Sequence, residues 1–231
     1  MTSSIYRRWI VCGLALFAAG SACAQISKQG NGYLFRMKFT KGQTITYVMK
    51  MNSQVGAQPA NVAMQLTQKT VAVASGGKTA TVNVTVGQPL LNGKPLPQNS
   101  KGPKTSTKPT SMTLTVDSMG HVQGGQQQTS IDLPSNPVAV GGTWKSSSSI
   151  NQVGVSMEVF QTYKFIGMER VGGVNAAKVA VTMKGTGQIA LTGSGTAWLS
   201  MADGWLIKND STMIITMGQM VIPSKVTIVR K

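Results

Sequence analysis

Beyond residue 24 the chain contains no cysteine, because its two, Cys12 and Cys23, both precede that point. A disulfide framework, a thiolate zinc site and a cysteine nucleophile are therefore excluded from the remainder. Negative charge is scarce too, with six Asp and Glu against 22 Lys and Arg. The six, Asp117, Asp132, Glu158, Glu169, Asp203 and Asp210, are too spread along the sequence to suggest the carboxylate pair of a glycosidase. His121 is the sole histidine. A transition-metal centre is thus short of ligands, and neither metal nor cofactor is expected. Past the first 24 residues arginine is limited to Arg36, Arg170 and Arg230. With no aromatic and basic signature of a known module, nucleic acid is not an expected partner.

What is present begins with a leader. Arg7 and Arg8 precede an apolar run from Trp9 to Ala19, and Ala22-Cys23-Ala24 supplies small residues before a cut expected between Ala24 and Gln25. The run is about half the roughly 20 residues of a membrane span, so no transmembrane span is expected in the mature chain. Residues 1–24 are read as a signal peptide, which places the protein in the periplasm or the medium. Lipoprotein anchoring at Cys23 is the competing fate, with Gly20 standing where a leucine-like residue would be expected.

Removing Arg7 and Arg8 leaves twenty basic and six acidic side chains, a net charge of +14. Such a field favours anionic neighbours: lipid headgroups, lipopolysaccharide or a wall polymer. The lysines are mostly single and scattered, which equally suits a well-hydrated surface.

Alternation dominates the rest. In Thr79-Ala80-Thr81-Val82-Asn83-Val84-Thr85-Val86 every second residue is apolar, the signature of a half-buried strand. The same period recurs in Phe35–Phe39, Met112–Val116, Ala177–Met183 and Val226–Val229. Glycine-centred turns separate these runs, Asn92-Gly93 and Asp203-Gly204 being the best hairpin dipeptides. Residues 92–111 (NGKPLPQNSKGPKTSTKPTS) have no apolar period and read as a mobile basic loop. A short helix is allowed for near Ile131 or over residues 60–66. The expected fold is all-β: two related antiparallel sheet units packed as a sandwich or a curved partial barrel.

Two units are expected because the chain echoes itself. Lys41-Gly42-Gln43-Thr44-Ile45 aligns with Val140-Gly141-Gly142-Thr143-Trp144, and each is followed by a strand, a Gly-Gly turn and a strand. Each half then closes with a hairpin, one turning at Asp117–Gly120 and the other at Met201–Gly204. The divisions are 25–123 for the first unit, 124–137 for a Gln-, Gly- and Pro-containing linker, and 138–231 for the second. Leu133-Pro134, Pro137-Val138 and Val140-Gly141-Gly142-Thr143-Trp144, followed by Leu191–Ala197 and Asp203-Gly204, resemble a family of exported bacterial proteins of unknown function. That family carries Val-Gly-Asp-Thr-Trp, and Gly142 departs from its aspartate. The resemblance implies a fold and no activity.

Chemistry-bearing candidates are few. His121 lies four residues beyond Asp117 on a turn, and no Gly-x-Ser-x-Gly elbow exists to complete a serine hydrolase. Fourteen methionines include Met49 and Met51 on one strand face and Met217 and Met220 about a turn. They suit a copper(I) pair, ordinary core filling, or the wall of a lipid pocket. The leading expectation is a non-enzymatic envelope protein that binds an apolar or anionic envelope molecule. Its binding residues would be Trp144 and Trp198 in an aromatic and methionine concavity, with Lys94, Lys101, Lys104 and Lys108 at the rim. The alternative is a structural or protein-interaction module of the envelope. Composition leaves the oligomeric state open.

Overall fold

The computed structural model describes residues 25–56, 58–95, 109–123, 133–152 and 155–231. Alternation of apolar and polar side chains makes strands of nearly all of it. β1 (Gln25–Gln29) and β2 (Gly32–Arg36) form a hairpin. There follow β3 (Thr44–Val55), β4 (Gln58–Val73), β5 (Thr79–Val86), β6 (Leu90–Leu91), β7 (Lys94–Pro95), β8 (Thr110–Asp117) and β9 (Val122–Gln123). The last six are β10 (Thr143–Gln152), β11 (Val155–Val171), β12 (Val174–Gly187), β13 (Ala190–Ser200), β14 (Leu206–Met217) and β15 (Met220–Arg230).

Thirteen of these strands make a single antiparallel sheet in the order β10-β11-β12-β13-β14-β15-β3-β4-β5-β8-β9, with β6 and β7 attached beside β4. All-β is thus the fold, as a curled, unclosed sheet and not as two stacked ones. The two halves of the sequence meet where β15 pairs with β3, from Ser224↔Ser53 to Arg230↔Tyr47.

The sheet curls far enough for its ends to share a neighbour. Tyr33 exchanges two 2.9 Å backbone hydrogen bonds with Val138, just ahead of β10, while Met37 N donates to Ser118 O at 2.7 Å in the turn between β8 and β9. Four residues of chain reach at most about 14 Å, so the lead-in to β10 and the β8–β9 turn lie close at this end. Arg36 fastens the junction, its guanidinium donating to the carbonyls of Pro134 (2.7 Å) and Ser135 (2.6 Å). Among the described residues no ladder joins β10 to β8 or β9.

One face of the sheet is the core. Ile45, Tyr47, Met49 and Met51 of β3, Val62, Met64 and Leu66 of β4, Val159, Tyr163 and Phe165 of β11, and Val226 and Ile228 of β15 are all buried on it. Each such aliphatic side chain contributes roughly 1.5–3 kcal/mol by leaving water. Tight curling is possible because β12 and β13 put glycine on this face. A Cβ at Gly195 would lie 2.5 Å from Ser211 Cβ and 2.6 Å from Asp210 O, and one at Gly193 2.7 Å from Thr212 O. No side chain fits there, which lets β14 approach.

Two expectations need correction. Residues 60–66 form part of β4 and not a helix, because Ala60, Val62, Met64 and Leu66 alternate with outward residues and pair with β3. Ile131 lies outside the described residues. Both described ends of the loop expected over 92–111 are strand instead: Asn92 (φ 50°) and Gly93 (φ 79°) turn β6 into β7, and Thr110 begins β8, while residues 96–108 lie outside the described residues. The hairpin dipeptide outweighs the surrounding loop composition.

The two units are alike in hydrogen bonding as well as in sequence. In the first, Gln43 N donates to Thr40 O (3.0 Å), Gly42 N to Thr70 O (2.8 Å) and Thr70 N to Gln43 O (2.9 Å). In the second, Gly142 N donates to Ala139 O (2.9 Å), Gly141 N to Phe165 O (2.7 Å) and Phe165 N to Gly142 O (2.9 Å). Gly42 (φ 84°) and Gly141 (φ 86°) hold the position of a type II turn that needs positive φ. A bulge follows in each case, between Thr70 and Ala72 of β4 and between Phe165 and Gly167 of β11. β3, β4, β5, β8 and β9 thus correspond in order to β10, β11, β12, β13 and β14, side by side along one sheet.

Candidate functional site

The inner face of β10 and β11 differs from the rest of the core. Trp144 of β10 stands opposite Tyr163 of β11, their rings stacked at 5.1 Å. Phe35 of β2 lies against Trp144 at 5.3 Å and against Phe165 edge-on at 5.3 Å, and Tyr33 meets Phe165 edge-on at the same distance. The β1–β2 hairpin is therefore an aromatic cover over the start of β10. Trp144 Nε1 is buried and has no hydrogen-bond partner among the described residues. Leaving such a donor dry costs about 1–3 kcal/mol.

Next along the same face, Ser146 stands opposite Gln161. Gln161 Oε1 accepts from the Tyr163 hydroxyl at 2.5 Å and from the Ser146 hydroxyl at 3.4 Å. Beyond them the face returns to apolar residues: Gln161 pairs with Met183 and Tyr163 with Val181. A small group of hydrogen-bonding side chains thus sits in a methionine-rich aliphatic lining, on the strand at the end of the sheet.

Trp198 is not part of it. It pairs with Lys178 and Lys208, alternates with buried Ala197 and Leu199, and so faces outward. Lys178 Nζ lies 5.7 Å and Lys208 Nζ 5.3 Å from its ring centroid, and its Nε1 donates to Glu169 Oε1. Glu169 also accepts from Lys178 at 3.1 Å. The Trp198 and Lys178 hydrogen bonds hold the Glu169 carboxyl below its ordinary 4.5. Trp144 and Trp198, grouped by the sequence reading, occupy opposite faces. Lys94 is exposed on β7, and Lys101, Lys104 and Lys108 lie outside the described residues.

The outer face is basic. Lys50, Lys69, Lys145, Lys164, Lys184 and Lys225 all stand exposed at positions that alternate with core residues. It also carries an open groove of about 890 Å³ across β13, β14, β15, β3 and β4, edged by Thr192, Thr212, Ile214, Pro223, Lys225, Asn52 and Asn61.

His121 and Asp117 form a turn lock. Asp117 Oδ1 accepts from the backbone N–H of Met119 (2.8 Å) and His121 (2.9 Å), and Oδ2 lies 2.8 Å from His121 Nδ1. In the corresponding turn Asp203 Oδ1 accepts from Trp205 N at 3.0 Å while Oδ2 pairs with Arg230 at 2.8 Å. Met49 and Met51 are buried in the core, and no cluster of three or more His, Cys, Asp or Glu occurs among the described residues. No described helix is long and apolar enough to cross a membrane. The residues missed from sequence are Ser146 and Gln161, which look like ordinary strand polar residues until their pairing is known.

No family model matches the sequence, and no curated protein matches it. Several solved structures overlap its fold. A candidate lipoprotein from Parabacteroides distasonis is 13% identical with a TM-score of 0.40, over 84% of this chain and 97% of that one. A candidate exported protein with a YmcC-like fold from Bacteroides fragilis is 11% identical with a TM-score of 0.38, over 86% and 99%. An S-type phycobiliprotein lyase from Guillardia theta is 8% identical with a TM-score of 0.35, over 80% and 86%.

Proposed function

We propose that this is an exported, non-enzymatic envelope protein that holds the apolar chain of an envelope molecule, a lipid foremost, against the inner face of its curled sheet. The observation that carries this reading is the division of the sheet into two chemistries. Its inner face is aliphatic and rich in methionine, including Met49, Met51, Met64, Met183 and Met213, whereas its outer face is studded with lysine. Methionine has three rotatable side-chain bonds and repacks around irregular guests. The lysines favour anionic surroundings such as headgroups.

Organic extraction of the protein purified from its own host, followed by mass spectrometry, is expected to yield a stoichiometric lipid. Sedimentation with vesicles is expected to retain the protein on phosphatidylglycerol at low salt and to release it as salt rises. Extracts without lipid together with no retention on anionic vesicles would remove the proposal. A second reading, a module that adds a partner's strand, rests on β10, whose outer edge has no ladder partner among the described residues. Cross-linking in cells from Lys145, on that strand, would trap one defined protein if it were right.

A further inference from the structure

We infer that Trp144 Nε1 and the Gln161 amide bind the carbonyl oxygen of a fatty-acyl group, fixing the polar end of the chain held in the interior. The inference rests on the function proposed above and names what that site recognises. Its starting point is a mismatch. Tryptophan at 144 buries an N–H that nothing in the described structure accepts, although phenylalanine would offer the same aromatic contacts to Phe35 and Tyr163. Buried donors without acceptors are rare, and one kept at the wall of an apolar interior points to an acceptor that arrives from outside.

Gln161 points the same way. Both hydroxyls that reach it donate to Oε1, so its nitrogen is left to donate. Trp144 and Gln161 are diagonal neighbours on one face, since Trp144 pairs with Tyr163 and Ser146 with Gln161. Diagonal Cβ atoms are about 7 Å apart, a span that two long polar side chains close onto one atom. A carbonyl oxygen has two lone pairs for two N–H donors. Both donors are neutral, so charge on the ligand is not what they select. Beyond them Met183 and Val181 continue the face as an apolar track for the acyl chain.

At the positions of Trp144 and Gln161 the first unit is aliphatic, and its own buried polar side chains, Gln68 and Thr70, stand where the second unit has Tyr163 and Phe165. Ile45 stands in place of Trp144 and Leu66 in place of Gln161, both buried.

The experiment uses the purified protein and two fluorescent probes, cis-parinaric acid and its methyl ester. Both are expected to bind, with affinities within about threefold of each other, because neutral donors serve acid and ester alike. Trp144→Phe is expected to weaken both about tenfold while melting no lower than wild type, since it removes a buried donor that has no partner among the described residues. Gln161→Met, on the same face, is expected to weaken both about fivefold, and Trp198→Phe, on the opposite face, to change neither. If wild type binds the probes and neither Trp144→Phe nor Gln161→Met weakens them, the assignment of these donors falls and the proposed function stands. Preference for the acid by more than about thirtyfold would place a cation at the head and overturn the carbonyl assignment. Failure of wild type to bind either probe would sink the proposed function and this site together.

Discussion

The two units share a backbone plan and differ in where it places them. β3 lies in the middle of the sheet, between β15 and β4, whereas its counterpart β10 is paired only with β11 among the described residues. Matched positions follow that difference. Ile45, Tyr47, Leu66, Gln68 and Thr70 of the first unit correspond to Trp144, Ser146, Gln161, Tyr163 and Phe165 of the second. The first set is sealed, with Ile45, Tyr47 and Leu66 each exposed by 3% or less. In the second set Tyr163 and Phe165 are equally buried, but Trp144, Ser146 and Gln161 are only half-buried at a sheet end. Where a strand is central its inner face is closed by neighbours on both sides, and where it is terminal the same register is left half-buried at Trp144, Ser146 and Gln161.

The comparison breaks most sharply at β13 and β8. Gly195 corresponds to Met112, because Val181 pairs with Gly195 as Val84 pairs with Met112. Gly195→Val is expected to cost more than about 4 kcal/mol or to prevent folding, as its side chain would collide with Ser211 and the Asp210 carbonyl. Met112→Gly, on an exposed residue, is expected to cost less than about 1 kcal/mol. Urea unfolding followed by circular dichroism measures both, and similar values would refute the curvature argument.

A second contrast is smaller. Leu66→Ala should lose about 2–5 kcal/mol as a core truncation, while Gln161→Ala at the equivalent position should lose about 1 kcal/mol. Equal losses would mean that the terminal strand pair is as sealed as the central one.

The shared turns give a third test. Gly42→Ala and Gly141→Ala meet no atom within 4 Å, so each is expected to lose about 1 kcal/mol from φ alone, and the two losses should agree within about 0.5 kcal/mol. A large disparity would separate the two turns that their hydrogen bonds make alike.

The smallest effect concerns the outer face of the second unit. Because the Glu169 pKa is lowered in the folded protein, its ionised form stabilises the fold at neutral pH. That contribution is present above the ordinary value of 4.5 and is lost as pH falls through the folded one. Thermal unfolding of wild type and Glu169→Gln should therefore differ at pH 7 and converge in acid. Divergence in acid would reverse the sign of the assignment.

Much of this was legible in the residues. Period-2 alternation placed the strands, the Asn92-Gly93 and Asp203-Gly204 pairs placed turns, and the Gly42 and Gly141 lead-ins revealed the repeat. The site was legible only in part: Trp144 stood out as a lone aromatic, but Ser146 and Gln161 did not, since a polar residue on a strand declares its importance only through its cross-strand partner. Trp198 misled for the same reason, as alternation assigns neighbours to opposite faces without saying which face is inside.

By itself the sequence determined the local hydrogen bonding of this protein, because φ preferences and side-chain alternation act over a few residues. Only the tertiary structure decided that β15 joins β3, that the sheet curls on Gly193 and Gly195, and that β10 ends it. Those outcomes depend on pairings between segments as far apart as Ser53 and Ser224. Many registers bury the same alternating side chains, so the choice rests on the summed packing of the whole sheet and leaves no local trace.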